Sequence, residues 1–163
     1  MERVPVTKLL LSLHVLAAIV AVGPVTVAAS MFPPAVRRAA VPAGGGGPAA
    51  TAVTTVELLH RICRVYARIG IAVPLLGFAT ALAMGVLGDG WLVTSIALTA
   101  AAAGVLLAFV LPRQDELIGQ LTGHRPVDRH GTVQLAMFTG VFNLLWATVT
   151  VLMIVRPGST TGA

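Results

Sequence analysis

The sequence predicts an all-α fold, a bundle of four transmembrane helices with a cytoplasmic amphipathic extension before the second span. Three observations carry that reading. Apolar residues make up 56% of the 163 positions and charged residues 10%, against roughly 25% charged in ordinary soluble domains, so the chain lacks the polar surface to solvate a globule of this size. Four charge-free apolar runs, residues 9–32, 69–88, 91–111 and 132–155, contain 24, 20, 21 and 24 residues. At about 1.5 Å per helical residue each is long enough to cross a hydrocarbon core of about 30 Å. None has the polar–apolar alternation of a membrane strand.

The first run, LLLSLHVLAAIVAVGPVTVAASMF, follows a short basic head ending at Lys8 and carries one ionisable side chain, His14. Val27-Ala28-Ala29 loosely resembles a cleavage site, but the run exceeds the apolar core of a signal peptide and holds both His14 and Pro24, so it is expected to be retained as the first span. Pro24 is expected to kink it near Val20 by removing a backbone donor, and Pro33-Pro34 to stop it. After Arg37-Arg38, residues 41–50 form a Pro/Gly/Ala segment with four consecutive glycines, the composition of a flexible linker. Residues 51–68 then read as an amphipathic helix. Arg61, Arg64 and Arg68 share one face, opposite Leu58, Ile62, Val65 and Ile69, a membrane-interface collar among anionic headgroups. Glu57 stands four residues before Arg61, the spacing of a helical ion pair.

The second span holds Pro74 and the small residues Gly70, Gly77, Ala79 and Ala83, which offer close contact to a neighbour. Gly88-Asp89-Gly90 predicts a tight turn that makes spans two and three antiparallel neighbours. Ala97, Ala101, Gly104 and Ala108 give the third span small-residue spacings suited to close packing, and Pro112-Arg113 is expected to end it. A polar segment through Gly131 brings His124, Arg125, Asp128, Arg129 and His130 close together. The spacing of its histidines matches no zinc motif, so it reads as a solvated loop with basic anchors. In the fourth span the intramembrane amide of Asn143 is expected to meet another helix, because an unpaired amide in lipid is costly.

Loop charge sets the expected orientation. Five arginines (37, 38, 61, 64, 68) lie between spans one and two and three (113, 125, 129) between spans three and four, against Arg3, Lys8 and Arg156 on the other side. The positive-inside rule therefore puts both termini outside and both long loops in the cytoplasm. Ten of the eleven basic residues are Arg, amid abundant Ala, Val and Gly, which points to a GC-rich bacterial genome and a multi-pass protein of the bacterial plasma (inner) membrane. The net charge of +5 belongs to span-flanking residues with no aromatic–basic platform, which argues against nucleic acid as a partner. Cys63 is the single cysteine, so an intrachain disulfide is excluded. No phosphate loop, nucleophile elbow, paired catalytic carboxylates or HExxH appears, and the soluble-hydrolase classes have no support. One Asn and one His within four spans make a thin polar pathway for a transporter.

On this topology His14, Met84 and Met153 lie toward the outer side and can converge at one depth. A histidine with thioethers suits haem iron or Cu(I), with His14 as the metal ligand and Met84 and Met153 completing a cofactor-binding set. His60, His124 and His130 fall on the opposite side, so a bis-His haem within one leaflet would need His14 from two chains. The competing reading is structural: methionines fill gaps in apolar cores, and a lone membrane histidine bonds a carbonyl of the next helix.

Leu13-His14-Val15-Leu16-Ala17-Ala18-Ile19, followed by Gly23 and then Phe32-Pro33 with basic residues, resembles the opening of a bacterial group of small four-helix integral membrane proteins of unknown function. That group is distantly similar to the CopD copper-resistance proteins and the HemJ-type protoporphyrinogen oxidases. The resemblance covers about thirty residues of the first span together with the four-helix layout, and it implies that His14 is the position carrying the family histidine. An aromatic common just before the family's glycine is replaced by Ala21-Val22, and no further HemJ functional residue is matched. Two functions follow as expectations. One is a noncatalytic structural or accessory subunit, acting as a homo-oligomer or within a larger membrane complex. The alternative is a His14-centred protein handling haem, porphyrin or copper.

Overall fold

The computed structural model describes residues 3–41 and 48–158. Its elements are α1 (Arg3–Ala39), α2 (Pro48–Ile69), α3 (Ala72–Met84), α4 (Gly90–Val105), a π-helical turn (Leu106–Val110), α5 (Leu111–Thr122) and α6 (Arg129–Val155), with no strand among the described residues. Four helical stretches, Pro5–Ala39, Thr51–Met84, Gly90–Thr122 and Arg129–Val155, are long and apolar enough to cross a membrane. The chain is therefore an all-helical bundle with four membrane-spanning helices. Of the segment expected as a linker, residues 42–47 lie outside the described residues, and 48–50 open α2. Pro48 is the first residue of that helix, where its missing N–H costs nothing.

Three prolines do less to the backbone than the sequence leads one to expect. α1 continues through Pro33 and Pro34 to Ala39. The stretch is clamped from the side: Ala28, Ala29, Phe32, Ala35 and Val36 are buried at helical spacing in the main core. A helix packed along one face retains its path even where proline removes donors. Near Pro74 the chain does break, between α2 and α3. Proline cannot donate to the Gly70 carbonyl, and the Val73 N–H takes that carbonyl instead at 3.0 Å. Pro112 is accommodated by widening. The Leu111 N–H reaches back five residues to the Leu106 carbonyl, and the helix runs on through Pro112 and Arg113 to Thr122. The third helix thus outlasts its expected end by three turns.

The helices form two antiparallel pairs. α1 packs along α2 and α3, α4 packs along α6, and α1 meets α6 while α2 meets α5 to join the pairs. Although α3 and α4 are consecutive, they do not pack along their lengths. α3 turns Val73, Thr80 and Ala81 inward, a face taken up by α1, so nothing is left to zip it to α4 beyond the turn. That turn begins at Gly85, whose φ of 71° caps α3 in the left-handed region, a conformation glycine adopts without strain. Two apolar clusters result. The larger joins Phe32 and Val36 of α1, Val56 and Cys63 of α2, Val110, Leu117 of α5, and Leu135 and Phe142 of α6. The smaller gathers Ala81, Val86, Trp91 and Leu92 at the α3–α4 turn.

Candidate functional site

His14 is buried, 7% exposed, where α1 meets α3. Its Nδ1 lies 3.0 Å from the Val73 carbonyl oxygen. A carbonyl only accepts, so Nδ1 carries the proton and donates, leaving Nε2 as the lone-pair nitrogen of the neutral ring. The ring rests on Gly77, where a Cβ would stand 2.9 Å from His14 Cε1. Gly77 therefore supplies the space and Val73 the acceptor, and His14 ties two helices together. Met84 and Met153 both pack on the cluster around Trp91. Met84 is two turns beyond Gly77 on α3, about 10 Å along the axis. The structure thus brings the two methionines to one cluster and seats His14 apart from them.

Asn143 faces α1. Its Nδ2 donates to Ser30 Oγ at 3.1 Å, while its Oδ1 and the Thr139 hydroxyl, one turn away on the same face, are buried without partners. The amide is half satisfied, which suits a helix contact in lipid, where such bonds contribute about 0.6 kcal/mol on average.

A denser polar cluster joins α2 to α5. His60 is 7% exposed and Gln114 and Cys63 are fully covered. His60 Nδ1 donates to Gln114 Oε1 at 3.0 Å, and Gln114 Nε2 donates to Cys63 Sγ at 3.6 Å. On the other side of the ring, Nε2 stands 2.9 Å from Asp115 Oδ1 but is poorly aligned for a hydrogen bond. With Nδ1 already donating, a proton on Nε2 makes the ring an imidazolium that pairs with the carboxylate. Without it, two electron-rich atoms face each other. The cluster is a buried amide–imidazole pair with an exposed carboxylate at its edge, and among the described residues no group of three His, Cys, Asp or Glu side chains has metal-holding geometry. Spacing gave a partial signal for it: His60 and Cys63 are three apart and share a helix face. Gln114 gave none, because it lies beyond a proline expected to end its helix.

Arg61, Arg64 and Arg68 are all exposed on α2, and among the described residues none has a carboxylate within ion-pair distance. Glu57 and Arg61, spaced for a pair, do not form one. In the polar connection before α6, Asp128 is spent on capping, accepting from the His130 and Gly131 N–H groups. His124 Nδ1 bonds the Thr122 carbonyl, and Gln134 Nε2 lies 3.0 Å from His130 Nε2. The histidines of this segment are thereby engaged separately. At the other end of the bundle Arg156 lies over the Trp91 ring, 5.5 Å from its centroid, a cation–π contact between α6 and α4.

Fold and site together define a multi-span helical membrane protein in which the buried His14, His60 and Gln114 side chains bond across helices, while the buried hydroxyls of Thr80, Ser95 and Thr132 bond carbonyls four residues back. No protein-family model matches the chain, and no curated protein or solved structure matches it either.

Proposed function

We propose that the chain is a noncatalytic structural or accessory subunit of a membrane assembly, or of a homo-oligomer, in the bacterial plasma membrane, with both termini outside. The observation that carries this reading is the use made of His14. The one ionisable side chain in the first apolar run spends its Nδ1–H on the Val73 carbonyl and its ring face on Gly77, so its burial is explained by packing two helices. A further support is that Ala97, Ala101 and Gly104 of α4 and Ala108 of the π-helical turn are exposed. A strip of small residues left outward by its own chain suits close approach of another helix.

The test is to purify the protein in mild detergent from its native membrane and measure its absorption spectrum, metal content and native mass. The reading expects a colourless, metal-free protein whose mass exceeds one chain of 16.7 kDa, reduced toward one chain by Ala101→Leu with Gly104→Leu. A Soret band or near-stoichiometric copper that disappears in His14→Ala would overturn it and establish the cofactor protein that the CopD and HemJ resemblance implies. A colourless protein that remains a single chain would also overturn it.

A further inference from the structure

Beside the π-helical turn, a groove of about 390 Å³ opens between the third and fourth membrane helices. Its walls are unlike each other in chemistry. Phe109 and Phe138 stack across it with ring centroids 4.6 Å apart, and Pro112 continues that apolar surface. At the rim stand Arg113, Glu116 and Gln134. Arg113 Nη1 donates to Glu116 Oε2 at 2.7 Å, and the two side chains are 37% and 52% exposed.

The depth of the groove follows from the sequence. Arg113 is the first charge after the apolar run 91–111, and Gln134 lies two residues into the run 132–155. The aromatic wall therefore falls inside the hydrocarbon and the Arg113–Glu116 pair at headgroup level. An amphipathic occupant with a chain on one side and charge on the other fits that division.

The charge at the rim narrows the headgroup. Elsewhere on this basic chain, arginines such as Arg61, Arg64 and Arg68 lack carboxylate partners, whereas the groove presents one cation and one anion a single turn apart. A purely anionic headgroup that bound Arg113 would displace Glu116 and leave that carboxylate facing a phosphate. A headgroup that is itself an ion pair can lie antiparallel to Arg113–Glu116, its phosphate on the guanidinium and its ammonium on the carboxylate, with no charge stranded. We propose that this groove is a binding site for a zwitterionic, amine-bearing phospholipid, a phosphatidylethanolamine, with one acyl chain against Phe109 and Phe138. Pro112 contributes to the site as well: the wide turn it imposes lies directly in the groove wall, and such turns recur at functional sites.

The experiment reconstitutes the full chain in phosphatidylcholine nanodiscs containing a small fixed fraction of phosphatidylethanolamine or phosphatidylglycerol with the same photoreactive acyl chain. Labelling is read by mass spectrometry on the peptides containing Phe109 and Phe138, so binding at the exposed arginines does not contribute. Ethanolamine lipid is expected to label these peptides about three- to five-fold more than glycerol lipid, the scale of a half-exposed charge contact. Glu116→Gln should abolish that difference, and Arg113→Gln should lower labelling by both lipids. Both substituted side chains are partly solvent-exposed, and unchanged thermal unfolding confirms that each variant is folded. Equal labelling by the two lipids in the wild-type protein overturns the proposal, as does a preference that survives Glu116→Gln or labelling unaffected by Arg113→Gln.

Discussion

The two ends of this bundle are built on different principles. At the end bearing the arginine-rich segments, all four membrane helices contribute to one core, from Phe32 and Val36 through Cys63 and Val110 to Leu117 and Leu135, and a buried His60–Gln114–Cys63 chain links α2 to α5. At the other end a cluster of Ala81, Val86, Trp91 and Leu92 holds the α3–α4 turn, reinforced by Arg156 over Trp91. The difference reflects the solvent. In hydrocarbon, burying an apolar side chain gains little over leaving it in lipid, so the larger core, which runs from Ala102 and Phe142 within the apolar spans to Val36, Val56 and Leu117 beyond them, draws most on the part outside the spans, where water drives burial. Within the bilayer, close contact depends on small residues and single hydrogen bonds.

That contrast can be broken by substitution. Phe32→Ala empties a fully covered position at the arginine-rich end and should cost about 3–5 kcal/mol, whereas Leu92→Ala in the smaller cluster should cost clearly less. Reversible unfolding in bicelles compares them, and equal losses would remove the distinction. Gln114→Leu should cost about 1–3 kcal/mol, since it strands the buried His60 Nδ1, and the cost should fall when His60 is replaced as well. Additive losses in that double-mutant cycle would show that the two side chains act separately. Gly77→Val brings a side chain into the His14 ring and should cost about 1–3 kcal/mol. His14→Ala should recover part of that loss in the same assay, and no recovery would deny the contact. Asn143→Leu removes one intramembrane hydrogen bond and should cost about 0.6 kcal/mol. A loss several times larger would mean that its amide holds more than Ser30.

The spans were legible because length and the absence of charge are properties of each segment alone. Lipid imposes that condition before any packing, and the run 132–155 lies within α6 with only three residues of the helix before it. The prolines misled because a sequence shows the donor they lack and not the neighbour that compensates. Pro33 is buried, beside Phe32, which shares a core with residues of α5 and α6 far away in the chain. For His14, contact with a carbonyl of the next helix was one of two expectations; that contact is present, and the space for it comes from Gly77, 63 residues distant in the sequence. The Gln114 cluster was hidden by the misplaced end of the third helix: a residue assigned to a loop is not searched for partners in a core.

The π-helical turn leaves a trace of its own in the order of residues. Ala102, Leu106, Val110 and Gln114 are all buried and follow one another at intervals of four. In a regular α-helix that interval overshoots a full revolution by about 40° each time, and the fourth residue would have rotated well away from the first. A turn closed over five residues at Leu106–Val110 unwinds part of the excess. With Pro112 replaced by alanine, removing one residue there, for example Ala108, would tighten the helix to regular pitch and preserve the phase of everything on either side, a change of length that would misalign the faces of any other membrane helix in the bundle.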